Sequence, residues 1–333
     1  MKTLVTGGGG FVGRALCRRL RDLGHDVTAL GRRPNPVLDA DRIRTVIHDL
    51  AGPDAAAGLA GRLAGVDCVF HTAAHVRMWG PREAFVSGNI DATNNVIAAC
   101  RAAGVARLVF TSSPSVVAAD HDLRGSDESQ PYPARYRAFY PETKADAERA
   151  VLAAHGDALQ TIALRPHLIF GPGDTHLVPT ILKRARAGRL VQVGDGTNLV
   201  DLTLIDDCVS AHVLAAAALA ERSSTGGRAY FISQGTPVLL WEWIGRVLAL
   251  HDAPPVRRRM STTTARLLAT VAETVWKTCG LASDPPLTRF LAAEMATDHF
   301  FEIGAARREL GYVPSCTVWE ATERAFGRCR ESS

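Results

Sequence analysis

Tyr140 and Lys144 stand four positions apart in the stretch Tyr140-Pro141-Glu142-Thr143-Lys144. On an α-helix, residues i and i+4 share a face, so this spacing points a phenol and an ammonium into one site. There the cation can lower the phenol's pKa from its ordinary value of about 10 and make it a usable proton donor. Ser112 and Ser113 lie upstream, just past the apolar run Arg107–Thr111. A serine at such a strand end can donate a hydrogen bond to a carbonyl oxygen, or simply hold a turn. The third set is Gly7, Gly10 and Gly13, spaced as G-x-x-G-x-x-G between the apolar Leu4-Val5 and an amphipathic helix pattern that starts near Phe11. In that context Gly7 permits the tight turn, Gly10 lets backbone approach a pyrophosphate, and Gly13 lets the helix pack on the strand. Free N–H groups and the positive end of the helix dipole then face the phosphates.

The same pattern indicates which dinucleotide. An acidic residue near the end of the second strand would hold the ribose 2′-hydroxyl of NAD. Here that place is taken by Gly31, followed by Arg32 and Arg33. Glycine leaves room and a guanidinium fork matches a phosphate, which favours NADP(H); a merely solvated arginine pair is the alternative.

Positioning these groups requires strands and helices in alternation. Apolar runs at 27–30, 43–47, 67–71, 107–111 and 161–164 read as strands, with helix patterns over 53–63, 82–103 and 140–154 between them. Such alternation predicts an α/β, Rossmann-type doubly wound parallel sheet, closed by the strand at 161–164. Residues 116–135, rich in Asp, Ser, Gly and Pro, read as a loop. Past Pro166 the spacing is irregular: a turn at 171–174, a helix over 178–187, a strand-like 199–205, a helix over 206–220 and a short strand at 229–232. The expected division is a cofactor core over 1–170, rejoined by segments around 199–235. A smaller, mostly helical substrate lobe is expected from 171–198 and 236–333, packed over the strand ends.

Composition narrows the function. The chain has 333 residues, 47% hydrophobic and 22% charged, with a formal net charge of +4. No basic run interleaves with aromatics, so nucleic acid is not an expected partner. The seven cysteines are dispersed without metal spacing, so no metal is expected and a reducing, cytoplasmic setting is. The first strand begins at residue 2, which argues against a signal peptide. The most apolar helix pattern, 262–279, carries Arg266, Glu273 and Lys277, so no transmembrane span is expected. That helix reads as a lid over an acyl chain, with core packing or a shallow membrane-surface contact as alternatives. His71, ending a buried strand, reads as a satisfied core histidine.

Together, the glycine spacing, Ser113, the Tyr140/Lys144 pair, and Arg165-Pro166 followed by Gly171-Pro172-Gly173-Asp174 resemble the extended short-chain dehydrogenase/reductase superfamily. Within it, the chain resembles the 3β-hydroxysteroid dehydrogenase-like branch. It looks most like the bacterial reductases of 2-alkyl-3-oxo acids in olefin biosynthesis, on residues 4–11, 111–116, 171–177, 193–201, 286–291 and 306–314. The resemblance implies NADPH-dependent reduction of a hydrophobic 2-alkyl-3-oxoalkanoate to the 3-hydroxy acid. In that scheme Ser113 orients the carbonyl, Tyr140 gives its proton, and Lys144 holds the nicotinamide ribose while tuning Tyr140. Gly7, Gly10, Phe11, Val12 and Gly13 would cradle the pyrophosphate, and Arg32 would face the 2′-phosphate. Asp49 and Leu50 would border the adenine, Thr72, Ala73 and Ala74 the pyrophosphate and ribose, and Pro166 the nicotinamide. Asn89 would support the site from its helix. Arg77 and Trp79, in the loop after the strand at 67–71, are expected substrate contacts with capping of the lobe as the alternative, His176 after the 171–174 turn is a carboxylate contact or a surface cap, and the family implies a homodimer. Sugar-nucleotide dehydratases carry Asp-Glu where this chain has Pro114-Ser115, so elimination lacks its acid here. A 3β-hydroxysteroid or sterol dehydrogenase, a sugar-nucleotide epimerase and a non-catalytic NADP-sensing protein remain as alternatives.

Overall fold

The computed structural model describes residues 1–327 apart from 119, 120, 222 and 282. Its centre is a sheet of seven strands: β1 (Lys2–Thr6), β2 (Asp26–Gly31), β3 (Arg44–Ile47), β4 (Cys68–His71), β5 (Arg107–Thr111), β6 (Gln160–Pro166) and β7 (Arg228–Ile232). The order is β7-β6-β5-β4-β1-β2-β3, and every neighbouring pair is parallel. Strands in such a sheet are apolar along their length because helices cover both faces. Val5, Phe70, Val109, Ile162 and Leu164 join one core with Leu16, Cys17 and Leu20 of α1 (Phe11–Asp22). Leu4, Val69, Leu108, Phe110 and Ala163 join the other, with Val96 and Cys100 of α2 (Ala92–Ala103) and Ala147 and Val151 of α3 (Phe139–Ala153). A further helix, α4 (Ile205–Glu221), closes the first face through Val209, Ala215 and Leu219.

The chain builds β1 to β3 in one direction, then crosses back to place β4 on the other side of β1. This reversal puts the topological switch point at the carboxyl ends of β1 and β4, where open sheets of this kind bind ligands in a crevice. A separate apolar cluster includes Phe170, Leu182, Val200, Leu202, Trp243, Val247 and Val318. Trp243 is fully buried and its indole N–H donates to Thr322 Oγ1 at 2.9 Å.

Several local expectations change. The strand at 161–164 does not close the sheet; β7 lies outside β6, reached through α4. The helical run from 82 is interrupted by a π-helical stretch, Val86–Asp91, before α2 resumes. Within 116–135, of which 119 and 120 lie outside the described residues, Leu123–Ser126 forms a strand beside His299–Phe301. A pairing across that separation leaves no local pattern to read. The strand-like 199–205 splits into Leu199–Val200 and Thr203–Leu204, which join different sheets, and Ile205 already begins α4.

Candidate active site

The glycine loop is shaped by contacts that tolerate no side chain at three of its positions. Gly7 has φ +66°, and a Cβ there would lie 2.7 Å from Ala73 Cα, on the loop after β4. A Cβ on Gly8 would lie 2.6 Å from that of Ala29, and one on Gly13 would lie 2.2 Å from the Gly7 carbonyl oxygen. Gly10 differs: it is exposed, its backbone is extended (φ −76°, ψ 176°), and it caps α1 with no side-chain acceptor. The first turn of α1, with the half-buried Phe11 and Val12, carries no acidic residue. A tight, uncapped helix start of this kind offers bare N–H groups to a phosphate, and the loop fits a dinucleotide pyrophosphate. Above it, Arg14 Nη2 donates to Gly173 O at 3.1 Å, so the 171–174 turn rests on the first turn of α1.

Thr6, which the sequence reading passed over, ties the reversal point together. Its hydroxyl meets His71 Nδ1 at 2.7 Å and accepts from Ala73 N at 3.3 Å, while its carbonyl accepts the Thr72 hydroxyl at 2.7 Å. His71 Nε2 meets Thr93 Oγ1 at 3.0 Å, and burial pushes its pKa down to about 3. A neutral, fully partnered imidazole of this kind is structural. Ala74 is half-buried on the same loop, and Pro166 ends β6 opposite Ile232.

α3 carries the proton-handling groups. Tyr140 lies in its first turn and Lys144 one turn on, buried to 2% exposure. Lys144 Nζ donates to Thr111 O at 2.6 Å and sits 4.0 Å above the Phe110 ring. Burial lowers its pKa to about 7, against which the Glu148 carboxylate acts. Burial raises the pKa of Tyr140, with a hydrogen bond from the Ser113 side chain opposing it. The expectation that Lys144 lowers the Tyr140 pKa therefore fails. The ammonium is turned to the end of β5, and desolvation dominates the phenol. Of the two serines, Ser112 is buried, whereas the half-buried Ser113 accepts from Ser115 N at 3.2 Å and meets Ser115 Oγ at 2.9 Å. The structure thus brings Ser113, Tyr140 and Lys144 together at the end of β5.

Two supports hold α3 in place. Arg165 grips Glu148 in a buried fork, Nε to Oε2 at 2.9 Å and Nη2 to Oε1 at 2.6 Å, and Tyr132 adds its hydroxyl to Oε1 at 2.6 Å. Asn89 is buried in the π-helical stretch; its Oδ1 accepts from His75 N at 2.7 Å and its Nδ2 donates to Thr143 Oγ1 at 2.9 Å. Asn89 thereby links the loop after β4 to the helix of Tyr140 and Lys144.

The remaining expected contacts are more dispersed. Arg32 is exposed just past β2 and has no carboxylate partner among the described residues. Asp49 is exposed, but Leu50 turns its side chain into the core, leaving only backbone to face an adenine. Arg77 is paired with Asp284 at 2.8 Å and Trp79 is half-buried nearby in sequence. His176 is an exposed cap residue whose N–H donates to Asp174 Oδ1 at 2.7 Å. No hydrogen bond or ion pair joins Arg77 or His176 to the Ser113–Tyr140–Lys144 group among the described residues. A small recess of about 20 Å³ does adjoin that group, lined by Pro114, Ser115, His167, Glu294 and His299 among others. Its two histidines meet at 2.6 Å, Nε2 of His167 to Nδ1 of His299, and burial holds His167 well below the usual imidazole range. Nothing local in the sequence marks that pair.

Comparison with known proteins bears on the family and the fold. Over 97% of its length the chain is 46% identical to a protein of Stenotrophomonas maltophilia (strain K279a) named 2-alkyl-3-oxoalkanoate reductase, of which it covers 98%. It is 34% identical, over 97% of its length and 89% of the relative, to the Mus musculus sterol-4-alpha-carboxylate 3-dehydrogenase, decarboxylating. Among solved structures, MoeE5 in complex with UDP-glucose and NAD superposes with a TM-score of 0.74 at 26% identity, covering 98% of this chain and 97% of that one. Residues 4–257 match the model of the 3-beta hydroxysteroid dehydrogenase/isomerase family. The chain, with a Rossmann-type sheet, a glycine cradle and a serine, tyrosine and lysine gathered at one strand end, belongs to that family of oxidoreductases.

Proposed function

We propose that this protein is an NADPH-dependent reductase that converts a 2-alkyl-3-oxoalkanoate to the 2-alkyl-3-hydroxyalkanoate. The observation that carries the reading is the 46% identity to the Stenotrophomonas reductase across nearly all of both chains. The two relatives' names also share one chemical feature. In a 2-alkyl-3-oxo acid and in a sterol 4-carboxylate alike, the carboxylate sits on the carbon next to the one that changes oxidation state. The common substrate class is a bulky, apolar β-oxo or β-hydroxy acid.

Gly7, Gly10, Phe11, Val12 and Gly13 would hold the pyrophosphate, with Thr72, Ala73 and Ala74 across the crevice. Asp49 and the Leu50 backbone would border the adenine, and Pro166 the nicotinamide. Arg32, beside Gly31 and without an acidic partner among the described residues, supports a 2′-phosphate over a bare ribose. When bound, the nicotinamide supplies the hydride that turns the ketone into an alcohol. Tyr140 would protonate the oxygen as negative charge develops there, and Ser113 would donate a hydrogen bond to the same atom. Burial raises the Tyr140 pKa, and the Ser113 hydrogen bond opposes that rise. Lys144 would hold the ribose, and Glu148 favours its charged form. Asn89 would act as a positioning residue for both.

Arg77, Trp79 and His176 are proposed substrate contacts; a carboxylate at Arg77 would have to compete with Asp284. Free β-oxo acids lose carbon dioxide readily, and reducing the ketone removes that route. We place the protein in the cytoplasm: its six described cysteines are free thiols, and none of its described helices is long and apolar enough to cross a membrane. The 34% identity to the sterol dehydrogenase supports a second reading, oxidation of a sterol 3-hydroxyl. The two separate in an assay of NADPH oxidation against long-chain 2-alkyl-3-oxo acids, their methyl esters, 3-ketosteroids and UDP-sugars. The acid should be turned over well ahead of its ester, and Arg77→Ala or His176→Ala should reproduce part of that loss. Equal turnover of the ester or a 3-ketosteroid would replace this reading with the sterol one.

A further inference from the structure

The helix Thr262–Thr278, α5, is fastened to the protein by its small side. Only Ala265 and Ala269 are buried, and Glu273 is tied to Arg289 at 2.6 Å. Its large aliphatic side chains face outward instead, Leu267 64% exposed, Leu268 50%, Val271 53% and Val275 42%, while Trp276 is half-buried and donates its indole N–H to Ser283 Oγ at 3.2 Å. Neither a core-packed helix nor a lid closed on an acyl chain would leave these residues in water, so both of those expectations fail. Four such residues on one face form a contiguous patch of the kind that marks an interaction surface.

Three hydroxyls along the edge of this face are already satisfied. Thr270, Thr274 and Thr278 donate their hydroxyls to the carbonyls of Arg266, Thr270 and Thr274, at 2.8, 2.8 and 2.9 Å. A hydroxyl folded back onto its own helix loses little on leaving water and turns its methyl outward. A partner that hydrogen-bonds would have no use for that arrangement, whereas a hydrocarbon phase would. Charge agrees: Arg257, Arg258 and Arg259 are exposed just before the helix, Arg266 and Lys277 are exposed along it, and its one acid is neutralised by Arg289. Cations rimming an apolar helix face suit an anionic lipid surface.

We propose that α5 lies in the interface of an anionic phospholipid bilayer, with Leu267, Leu268, Val271 and Val275 among the acyl chains and the neighbouring arginines on the headgroups. The Arg77–Asp284 ion pair joins the segment after α5 to the loop after β4, where Val76 and Met78 are also exposed. The surface thus extends toward the crevice, and an apolar substrate would reach the site from the bilayer. The docking itself does not depend on which substrate the site takes.

The test is flotation of the full-length protein with vesicles of phosphatidylcholine containing about one-third phosphatidylglycerol, with pure phosphatidylcholine as the comparison. Wild type should float with the anionic vesicles and dissociate as salt is raised. Leu267→Glu/Val271→Glu should lower the bound fraction at least tenfold, and Arg257→Gln/Arg258→Gln/Arg259→Gln should remove the preference for anionic lipid. Both sets are exposed, so the thermal midpoint and the turnover of a water-soluble ketone should stay at wild-type values. Wild type that remains in the soluble fraction overturns the proposal, as does a Leu267→Glu/Val271→Glu variant that floats like wild type. If light scattering shows that variant changing from dimer to monomer while wild type ignores vesicles, the face is a contact between copies of the chain.

Discussion

Replacing Gly13 and Gly10 by alanine, separately, tests whether the loop is built as described. In an ordinary helix, glycine to alanine gains up to about 1 kcal/mol. At Gly13 the new methyl carbon would stand 2.2 Å from Gly7 O, 2.8 Å from Gly7 C and 2.9 Å from Gly8 Cα. These are backbone atoms, and the loop has little room to retreat because Gly7 backs onto Ala73 and Gly8 onto Ala29. Forced overpacking of this kind costs about 1–3 kcal/mol or more, which exceeds the helix gain. At Gly10 the only near atom is Gly7 O at 3.2 Å, and the backbone there suits any residue. That variant should lose only about 0.5 kcal/mol, for a poorer cap. On the proposed function, however, its methyl would crowd the cofactor's pyrophosphate at the N–H groups of α1. NADPH should bind at least tenfold more weakly, a change of about 1.4 kcal/mol. Urea unfolding at constant slope reads the first quantity and NADPH fluorescence titration the second. Gly13→Ala should unfold at clearly lower urea, whereas Gly10→Ala should unfold almost like wild type yet lose the cofactor. A Gly13→Ala protein as stable as wild type would refute the packing argument, and unaltered NADPH affinity in Gly10→Ala would refute the phosphate cradle.

Wild type should prefer NADPH to NADH by at least tenfold in kcat/KM, about 1.4 kcal/mol; Arg32→Ala should lose that preference through KM for NADPH, and an indifferent variant would sink the assignment. Tyr140→Phe should lose about 10²–10⁴ in kcat with NADPH binding retained, measured by single-turnover absorbance; near-normal turnover would mean that the proton comes from elsewhere. The pKa of Lys144 falls from 10.5 to about 7 on folding, so between those values the unfolded chain holds a proton that the folded one has released. Stability without cofactor should therefore rise with pH across that window, and the rise should be smaller in Lys144→Met. Parallel urea midpoints for the two proteins from pH 7 to 10 would argue against a buried, desolvated Lys144.

Some of this protein is written in short-range spacing. The glycines at 7, 10 and 13 and the tyrosine and lysine at 140 and 144 follow helical and turn periods, which depend only on neighbours along the chain. The apolar runs of β1, β4 and β5 announced a sheet covered on both faces for the same reason. Other features depend on residues that meet only after folding. Thr6 becomes the hub of the crevice because β4 lands beside β1 and brings His71, Thr72 and Ala73 to it. Ser113, rather than Ser112, faces Tyr140 because of how the backbone leaves β5. The π-helical stretch that buries Asn89 against His75 and Thr143 leaves no mark in an 82–103 pattern that reads as ordinary helix. The strand Leu123–Ser126 exists because His299–Phe301 is there to pair with it, and His167 meets His299 across a similar span. For α5, amphipathic spacing predicts a helix with two unlike sides but not which one the protein covers. Its neighbour Arg289–Glu294 settles that by packing on the alanine side and leaving the leucines outside.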